Sequence, residues 1–431
     1  MLDIKFIREN KDIVKAAATK KHIEVDVDRL IELDEERRKR ISTLEEKKAE
    51  QNTVSEEIAQ ITDQGEREHL ITKMKMLKDV ITGEENDLRE VMKEWQYLMV
   101  RIPNIPDMSV PEGESDADNK EIRKWGEIRE FNFEPKDHIE LMTNLNMVDF
   151  ERGTKIAGFR GHILKGDAVA LQSALFQFVQ DQFKEKGFTL TIVPSLLNKE
   201  SFIGTGILPQ SEEDLYKTQD DTYLAGTGEV GMMGYHMDEV LDRKDFPMKF
   251  LAYSPCFRRE AGSHGKDTKG LMRVHEFYKL EQIVICEASH ETSVKLHEEI
   301  TENSEKIMQA LNIPYHVVIN SGGDLGLGQV KKYDIEGWVP SEKKYRETHS
   351  SSYFHDFQTR RLNIKYKDED GKSKFAHSLN NTAIASPRIL IHIVENNQNE
   401  DGSINVPQVL QKYMGKDIIK NDDNKTQTSQ T

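Results

Sequence analysis

The chain has 431 residues, 32% of them charged and 36% hydrophobic, with a formal net charge of −16 and a mean hydropathy of −0.67. That length predicts two or three domains with ample core, and the acidity excludes a surface that binds nucleic acid all over, because phosphate neutralisation needs Lys and Arg, here gathered into local patches. Cys256 and Cys286 are the only cysteines and lack CxxC spacing, which excludes a disulfide framework and a cysteine-rich zinc site and leaves buried reduced thiols.

The amino terminus, MLDIKFIREN, lacks the apolar core of a secretory leader, and no apolar run approaches the roughly 18 residues needed to cross a bilayer, so a cytoplasmic protein with no membrane association is expected. Residues 3–20 read as one short helix with Ile4, Ile7, Val14 and Ala17 along one side. From 29 to 61 apolar residues recur at Leu30, Leu33, Ile41, Leu44, Val54, Ile58 and Ile61. From 70 to 98 the pattern is cleaner: Leu70, Met74, Leu77, Ile81, Leu88, Val91, Trp95 and Leu98 follow steps of four and three, missing only at Glu84. Two helices joined at 62–66, where Gly65 offers a stop, predict an antiparallel coiled-coil hairpin reaching on the order of 45–50 Å. Arg37, Arg38, Lys39, Arg40, Lys47 and Lys48 lie along the first helix, largely balanced by glutamates. Charge alone leaves a spacer, a dimerisation element and a nucleic-acid grip all open.

Residues 101–114, RIPNIPDMSVPEGE, hold Pro103, Pro106 and Pro111 and read as a linker. Residues 134–140 lead through Pro135 into a short helix, and 159–164 are strand-like. A long helix follows over 166–186, with Leu171, Leu175, Phe178, Val179 and Phe183 at helical spacing and Gly187 as its stop. Strand 188–193 comes next, closed by Pro194. Residues 204–215 read as a mobile loop near the active site, and 223–229 as a strand with Thr227 and Glu229 on one face.

Residues 257–281, FRREAGSHGKDTKGLMRVHEFYKLE, are the most informative stretch. They predict a strand, a basic loop with Gly262, Gly265, Gly270, Lys266 and Lys269, and a returning strand. Side chains two apart share a face, so Arg258 and Glu260 point one way, while Arg273, Phe277 and Glu281 lie along one face if no bulge intervenes. Guanidiniums for phosphate, a ring to stack a purine and carboxylates to accept hydrogen bonds suit anhydride formation on a nucleotide. A solvated charged hairpin is the plainer alternative.

Further on, SGGDLGLGQ lacks both the GxxxxGK[ST] spacing and the strand-GxGxxG-helix context, so no phosphate loop is read there. In the stretch KKYDIEGW and YRETHSSSYFHDFQTRR, His349 and His355 read as solvent-facing or core hydrogen-bonding groups. In HSLNNTAIASPRILIHIVENN, Ser386 is expected as an N-cap and Pro387 as the first helical residue, which puts Arg388 in the first turn of a helix reaching about Asn396. A helix amino terminus with an arginine makes an anion site, although a surface arginine on an amphipathic helix would read the same. Beyond Lys420, NDDNKTQTSQT is expected to be disordered.

FRREAGSHGKDTKGLMRVHEF resembles motif 2 of the class II aminoacyl-tRNA synthetases in its seryl-tRNA synthetase form. Helix 166–186 with its strand and Pro194 resembles motif 1, and the segment around Arg388 resembles motif 3. With the arm ahead of them, the resemblance covers residues 1–420. It implies an α+β fold, an antiparallel sheet flanked by helices behind an N-terminal coiled-coil arm. The implied domains are a tRNA-binding arm (1–110), a catalytic domain (111–421) and a polar tail (422–431). It also implies a homodimer formed through motif 1.

The implied activity is that of a serine–tRNA ligase: ATP and L-serine give seryl-adenylate and pyrophosphate, and the seryl group passes to the 3′ end of tRNA(Ser), with tRNA(Sec) a second candidate acceptor. By resemblance, Arg258 meets the α-phosphate and Arg388 the γ-phosphate, and Phe277 stacks the adenine. Glu260 and the backbone at Val274 hold the adenine edge, with Arg259 and Arg273 near the polyphosphate. Glu347, Thr348, His349 and Ser350 lie at the nucleotide, Glu347 and Ser350 holding Mg²⁺. Serine lies among Thr227, Gly228, Glu229, Arg258, Glu281, Asn380 and Thr382, its ammonium meeting Glu281 and Thr227. Gly228 stands where alanine is usual and is expected to loosen the pocket wall. No zinc is expected. Two rivals remain: a paralogue loading a non-tRNA acceptor, which a degraded arm would mark, and a non-catalytic dimeric coiled-coil protein, which damage at the site residues would mark.

Overall fold

The helical hairpin forms as its repeat dictates. In the computed structural model, which describes residues 1–262, 265 and 267–421, contacts divide the chain into two units, Met1–Pro103 and a second from Asn104 onward. Lys266 of the basic loop and residues 422–431 of the tail lie outside the described residues.

In the first unit, helices α1 (Ile4–Glu9) and α2 (Lys11–Lys20) replace the single helix expected over 3–20. The break is at Asn10, whose side-chain amide bonds back to the Phe6 carbonyl at 3.1 Å and competes with helix continuation. Helix α3 (Val27–Gln60) is capped by Asp26 and α4 (Gln64–Met99) by Asp63. The turn between them is shorter than expected: Asp63 accepts from the Glu66 amide at 2.9 Å, so Gly65 sits in the first turn of α4 instead of stopping α3. Arg29 meets Glu94, Arg40 meets Glu84 and Asp87, and Lys73 meets Glu50, the falling and rising numbers of an antiparallel pair. At about 1.5 Å per residue each helix spans roughly 50 Å. Arg37 is tied to Asp34, and Arg40 to Glu36, Glu84 and Asp87, in line with the charge balance read from the sequence.

In the second unit, residues 104–114 are packed, not a free linker. The Asn104 amide donates to the carbonyls of Gly328 and Phe354 at 3.0 and 2.7 Å, and the Tyr353 hydroxyl donates to Asp107 at 3.1 Å. The elements that frame the site are β1 (Lys120–Trp125), α5 (Asp167–Glu185), β2 (Thr189–Ile192), α6 (Gly228–Tyr235), β3 (Met248–Phe257), β4 (Glu276–Cys286), α7 (His290–Ala310), β5 (Tyr315–Ile319), β6 (Lys331–Val339), β7 (Lys344–His355), α8 (Phe357–Arg361), β8 (His377–Ser386) and α9 (Arg388–Asn396). The eight strands form one sheet in the order β1-β5-β6-β7-β8-β4-β3-β2, antiparallel throughout except for the parallel edge pair β2 and β3. Its interior strand β4 is buried from Lys279 to Cys286, as its Leu, Ile and Val content requires. Leu171, Leu175, Val179 and Phe183 of α5 share one core with Val284, Leu379, Ile384 and Leu390.

The expected strand over 159–164 shrinks to Ile163–Leu164. Residues 204–215 begin in a helix (Lys199–Thr205), and Leu208 and Leu215 are buried against Phe202, Tyr223 and Val230. Asn421, expected in the tail, donates to the Asn144 carbonyl at 3.0 Å. Both cysteines are free and buried, and burial pushes the Cys286 thiol up to about 12. No helix among the described residues is long and apolar enough to cross a membrane.

Candidate active site

A cavity of about 480 Å³ opens against β6 and β7, lined by Lys332, Asp334, Arg273, Arg346, Glu347 and Arg388 among others. Pairing explains its make-up. Glu336 faces Glu347 and Asp334 faces Ser350, so one extra residue, Thr348, is accommodated in β7 between them. This bulge brings Glu347 and Ser350, three apart in sequence, opposite two β6 residues that share a face. The two residues between them turn inward: the Thr348 hydroxyl donates to the Ile335 carbonyl at 2.9 Å, and the His349 ring bonds the Ala383 carbonyl at 3.1 Å. Burial holds His349 down to about 3, so it stays neutral. His355 bonds His290 at 3.1 Å.

Arg388 opens α9 and reaches the cavity, donating to the Glu347 carbonyl at 3.0 Å and lying 3.4 Å from its carboxylate. Desolvation opposes the Glu347 charge, but Arg388, Lys332, Arg258 and Arg273 outweigh it and keep its carboxyl below the ordinary value. Ser386 is not the expected N-cap. It ends β8 and donates to Gln172, while Pro387 takes the cap position without a side-chain bond. Arg273 precedes β4 instead of sharing its face, and it is held by Glu260 at 3.0 Å and Asp267 at 3.1 Å. Glu260 lies beyond the end of β3 with a left-handed φ of 55°, so it does not share a strand face with Arg258. Arg259 is exposed and is anchored through its backbone N–H to the Asp214 carbonyl at 2.9 Å. Val274 is buried.

Next to this cavity the Arg258 guanidinium lies 5.2 Å over the Phe277 ring and donates to the Gly226 carbonyl at 3.3 Å. Gly226 leads into a segment that is not the strand expected over 223–229. The strand stops at Leu224, and Thr227 caps α6, with Glu229 in that helix's first turn. Glu229 is buried and accepts from the Gln358 amide at 2.6 Å. Burial pushes its carboxyl up to about 7, the Gln358 bond opposing and the Glu281 charge adding. Glu281, Thr382 and Thr227 are all at least nine-tenths buried, and Asn380 donates to Glu281 at 3.3 Å. Gly228 does not loosen a wall. A methyl group there would press on Ser254 and Ala252 of β3 at 3.1 and 3.2 Å, so it backs onto the sheet.

Comparison with known proteins gives a concordant result. The pattern of the tRNA synthetase class II core domain (G, H, P, S and T) matches residues 213–397, and that of the seryl-tRNA synthetase N-terminal domain matches residues 1–106. The chain is 42% identical to the serine–tRNA ligase of Deinococcus radiodurans, over 96% of this chain and 98% of that one. It is 43% identical to that of Petrotoga mobilis, over 97% and 100%. The seryl-tRNA synthetase of Pyrococcus horikoshii, solved with ATP, superposes with a TM-score of 0.88 at 38% identity, covering 98% of this chain and 100% of that one. The chain belongs to the seryl-tRNA synthetases.

For a seryl-tRNA synthetase read from sequence, the reading left out four polar side chains that this site brings together. Lys279 obeys the two-residue rule used for Phe277 and Glu281 and lies between them on β4, so that rule would have found it. Its ammonium donates to Thr227 Oγ1 at 2.9 Å and lies 2.5 Å from Glu281. Arg346 is adjacent to Glu347 and pairs with Asp267 at 2.5 Å. Lys332 is raised: burial opposes its charge, and Asp334, Asp324 and Glu347 outweigh that. Gln358 lies near the end of YRETHSSSYFHDFQTRR and links Glu229 to Ser378, whose hydroxyl donates to it at 2.7 Å. No local pattern marks Gln358, because its partners come from elements more than a hundred residues away and from β8.

Proposed function

We propose that this seryl-tRNA synthetase activates L-serine with ATP to seryl-adenylate and pyrophosphate and transfers the seryl group to the 3′ end of tRNA(Ser), with tRNA(Sec) a second acceptor. One observation carries the reading: a single guanidinium, Arg258, lies over the ring that would stack adenine and is bonded to the carbonyl beside Thr227. It therefore stands between the nucleotide platform and the amino-acid pocket, where a carboxylate and an α-phosphorus would be joined.

In this reading the serine carboxylate oxygen attacks the α-phosphorus in line with the departing pyrophosphate. Arg258 neutralises the charge that builds on the α-phosphate, and Arg388, with Arg273 beside it, holds the leaving group. Phe277 stacks the base, Glu260 and the Val274 backbone bound its edge, and Arg259, Glu347 and the backbone of Thr348 and His349 line the nucleotide. The substrate ammonium turns to the buried carboxylates Glu229 and Glu281, while Asn380 and Thr382 lie next to the side-chain hydroxyl. Gly228 contributes backbone. A dedicated nucleophile or general base is not needed, since positioning and charge supply the rate.

Magnesium fits the donor set. Among the described residues no group of three or more His, Cys, Asp or Glu is placed to cage a metal. Glu347 is half exposed at the cavity, and the bulge aligns Ser350 with it. Those two hard oxygens suit an ion that takes its other ligands from phosphates and water, and when bound it would offset phosphate charge. A cytoplasmic homodimer is part of the proposal, supported by the apolar edge strand β2, where Ile192 is 80% exposed and Leu190 42%. The arm, residues 1–110, would grip the tRNA by shape and backbone, and 111–421 would catalyse. Serine-dependent exchange of pyrophosphate into ATP without tRNA tests the site. Exchange with serine and not with alanine or threonine is expected, and a folded protein that exchanges with none of them would overturn the reading.

A further inference from the structure

The chain reaches β4 and Phe277 through residues 271–275, and the start of that segment is held from outside the sheet. Leu271 is fully buried, and its backbone N–H donates to His138 Nε2 at 3.2 Å. His138 opens a short helix, His138–Asn144, and is buried. An N–H donor needs the lone pair of Nε2, so the ring hydrogen lies on Nδ1, and it donates to Glu395 Oε1 at 3.1 Å. Glu395, in α9, is fully buried as well. Its Oε1 also accepts the His138 backbone N–H at 2.9 Å, and its Oε2 accepts the Ser341 N–H at 3.2 Å. The carboxyl thus fixes both the tautomer and the direction of the ring. Gly270 shows how closely the ring seats the chain: a methyl group there would fall 2.3 Å from Nε2. The next residue after Leu271 is gripped too, since the Met272 carbonyl accepts from Arg388 Nε at 3.4 Å. Helix α9 therefore holds two successive residues, one through His138 and Glu395 and one through Arg388, two turns earlier on the same helix.

We propose that His138, oriented by Glu395, is a positioning residue for the nucleotide half of the site, fixing the segment from which Arg273 and Val274 project. The proposal rests on the reading of those residues as part of the ATP platform. His138 itself stands outside the lining of the cavity. Leu271 and Met272 pack into or against the core, but apolar packing is non-directional, whereas a hydrogen bond sets the orientation of a peptide plane. Were Arg388 to turn to a phosphate, the Met272 carbonyl would lose its contact, and the His138 bond would be the one that stays.

Pyrophosphate exchange on three variants tests it. His138→Phe keeps a ring and removes both nitrogens, His138→Asn puts an amide at the level of Nδ1, toward Glu395, and His138→Gln puts one at the level of Nε2, toward Leu271. Losing the bond predicts a KM for ATP raised roughly tenfold in His138→Phe and His138→Asn, with the KM for serine within about twofold, and a KM for ATP within about threefold of wild type in His138→Gln. Amide hydrogen exchange over 271–274 should quicken in the first two variants and not in the third. Where His138→Phe does not fold, the comparison of His138→Asn with His138→Gln decides. An unchanged KM for ATP in His138→Asn, equal rises in both KM values, or a recovery by His138→Asn as full as that by His138→Gln would each overturn the positioning role and leave the proposed function standing. Wild-type protein without serine-dependent exchange would overturn the proposed function and this inference with it.

Discussion

Replacing Glu229 by glutamine should stabilise the protein, and only above a definite pH. The Glu229 carboxyl is pushed up to about 7 by burial, against an ordinary value of 4.5. A raised carboxyl holds its proton more tightly in the native state than in the unfolded chain. Stability therefore falls as pH rises from about 4.5, and the loss is complete above about 7. At about 1.36 kcal/mol per pH unit, that interval corresponds to about 3 kcal/mol. Glutamine keeps the acceptor for the Gln358 amide, now 2.6 Å away, and never ionises. Urea unfolding of wild type and Glu229→Gln, at one protein concentration and followed by near-UV circular dichroism, should give equal midpoints near pH 4.5. At pH 8 the variant should be the more stable by up to about 3 kcal/mol. A gap that stays constant from pH 4.5 to 8, or a variant less stable at pH 8, would refute the claim that a buried, reluctantly ionised carboxyl stands at this wall.

The same group should couple serine binding to pH: if the ammonium needs Glu229 ionised, the KM for serine rises about tenfold per pH unit below about 7 while that for ATP does not. A flat serine profile would argue against it. Arg388→Ala should lower exchange by about 10³-fold or more with an unchanged circular dichroism spectrum, and near-normal exchange would sink its γ-phosphate role. Arg346→Ala, which releases Asp267 from a 2.5 Å pair, should change the KM for ATP by roughly tenfold and leave that for serine alone. Joining Arg40 to Glu84, which are already paired at 3.0 Å, through a short Gly-Ser loop removes the outer arm but keeps α1 and α2 on their base. That variant should activate serine normally and charge tRNA poorly, as measured by aminoacylation.

Long elements with a sustained period could be read from the sequence because burial repeats along them. Leu77, Ile81 and Val91 of α4 and Leu171, Leu175 and Val179 of α5 are buried where their spacing placed them. The edges of the site could not be read this way. Thr227 looked like a strand residue because β-branched side chains favour strands, yet a threonine ahead of Gly228 and Glu229 caps a helix equally well, and the two short patterns are indistinguishable over seven residues. Glu260 left its expected face because a left-handed φ turns the chain after three residues, an event with no periodic signature. The bulge at Thr348 is equally silent in sequence, and it alone aligns Glu347 with Ser350. Ser386 failed as a cap because its hydroxyl finds a partner, Gln172, more than two hundred residues away.

The cavity's cations already have anionic partners. Arg273 rests on Glu260 and Asp267, Arg346 on Asp267 and Glu342, and Arg388 on Glu347. A cluster of arginines left bare there would repel itself and would have to surrender hydration before any ligand arrived. Carboxylates at 2.5 to 3.4 Å remove that cost, and they also hold each guanidinium near a place where a phosphate oxygen would lie. In the proposed reading, binding of a polyphosphate would be an exchange of one oxygen anion for another. The pairs differ in what happens to the displaced carboxylate. Asp267 lies outside the sheet, between β3 and β4, whereas Glu347 is held in β7. When Arg388 turns to a phosphate, Glu347 stays behind as an exposed carboxylate beside Ser350, which is the oxygen pair that the proposed magnesium ion requires. In the proposed reading, the ion pair between Arg388 and Glu347 would be the resting form of two separate ligand contacts, with a strand residue and the first residue of a helix set against each other at the cavity.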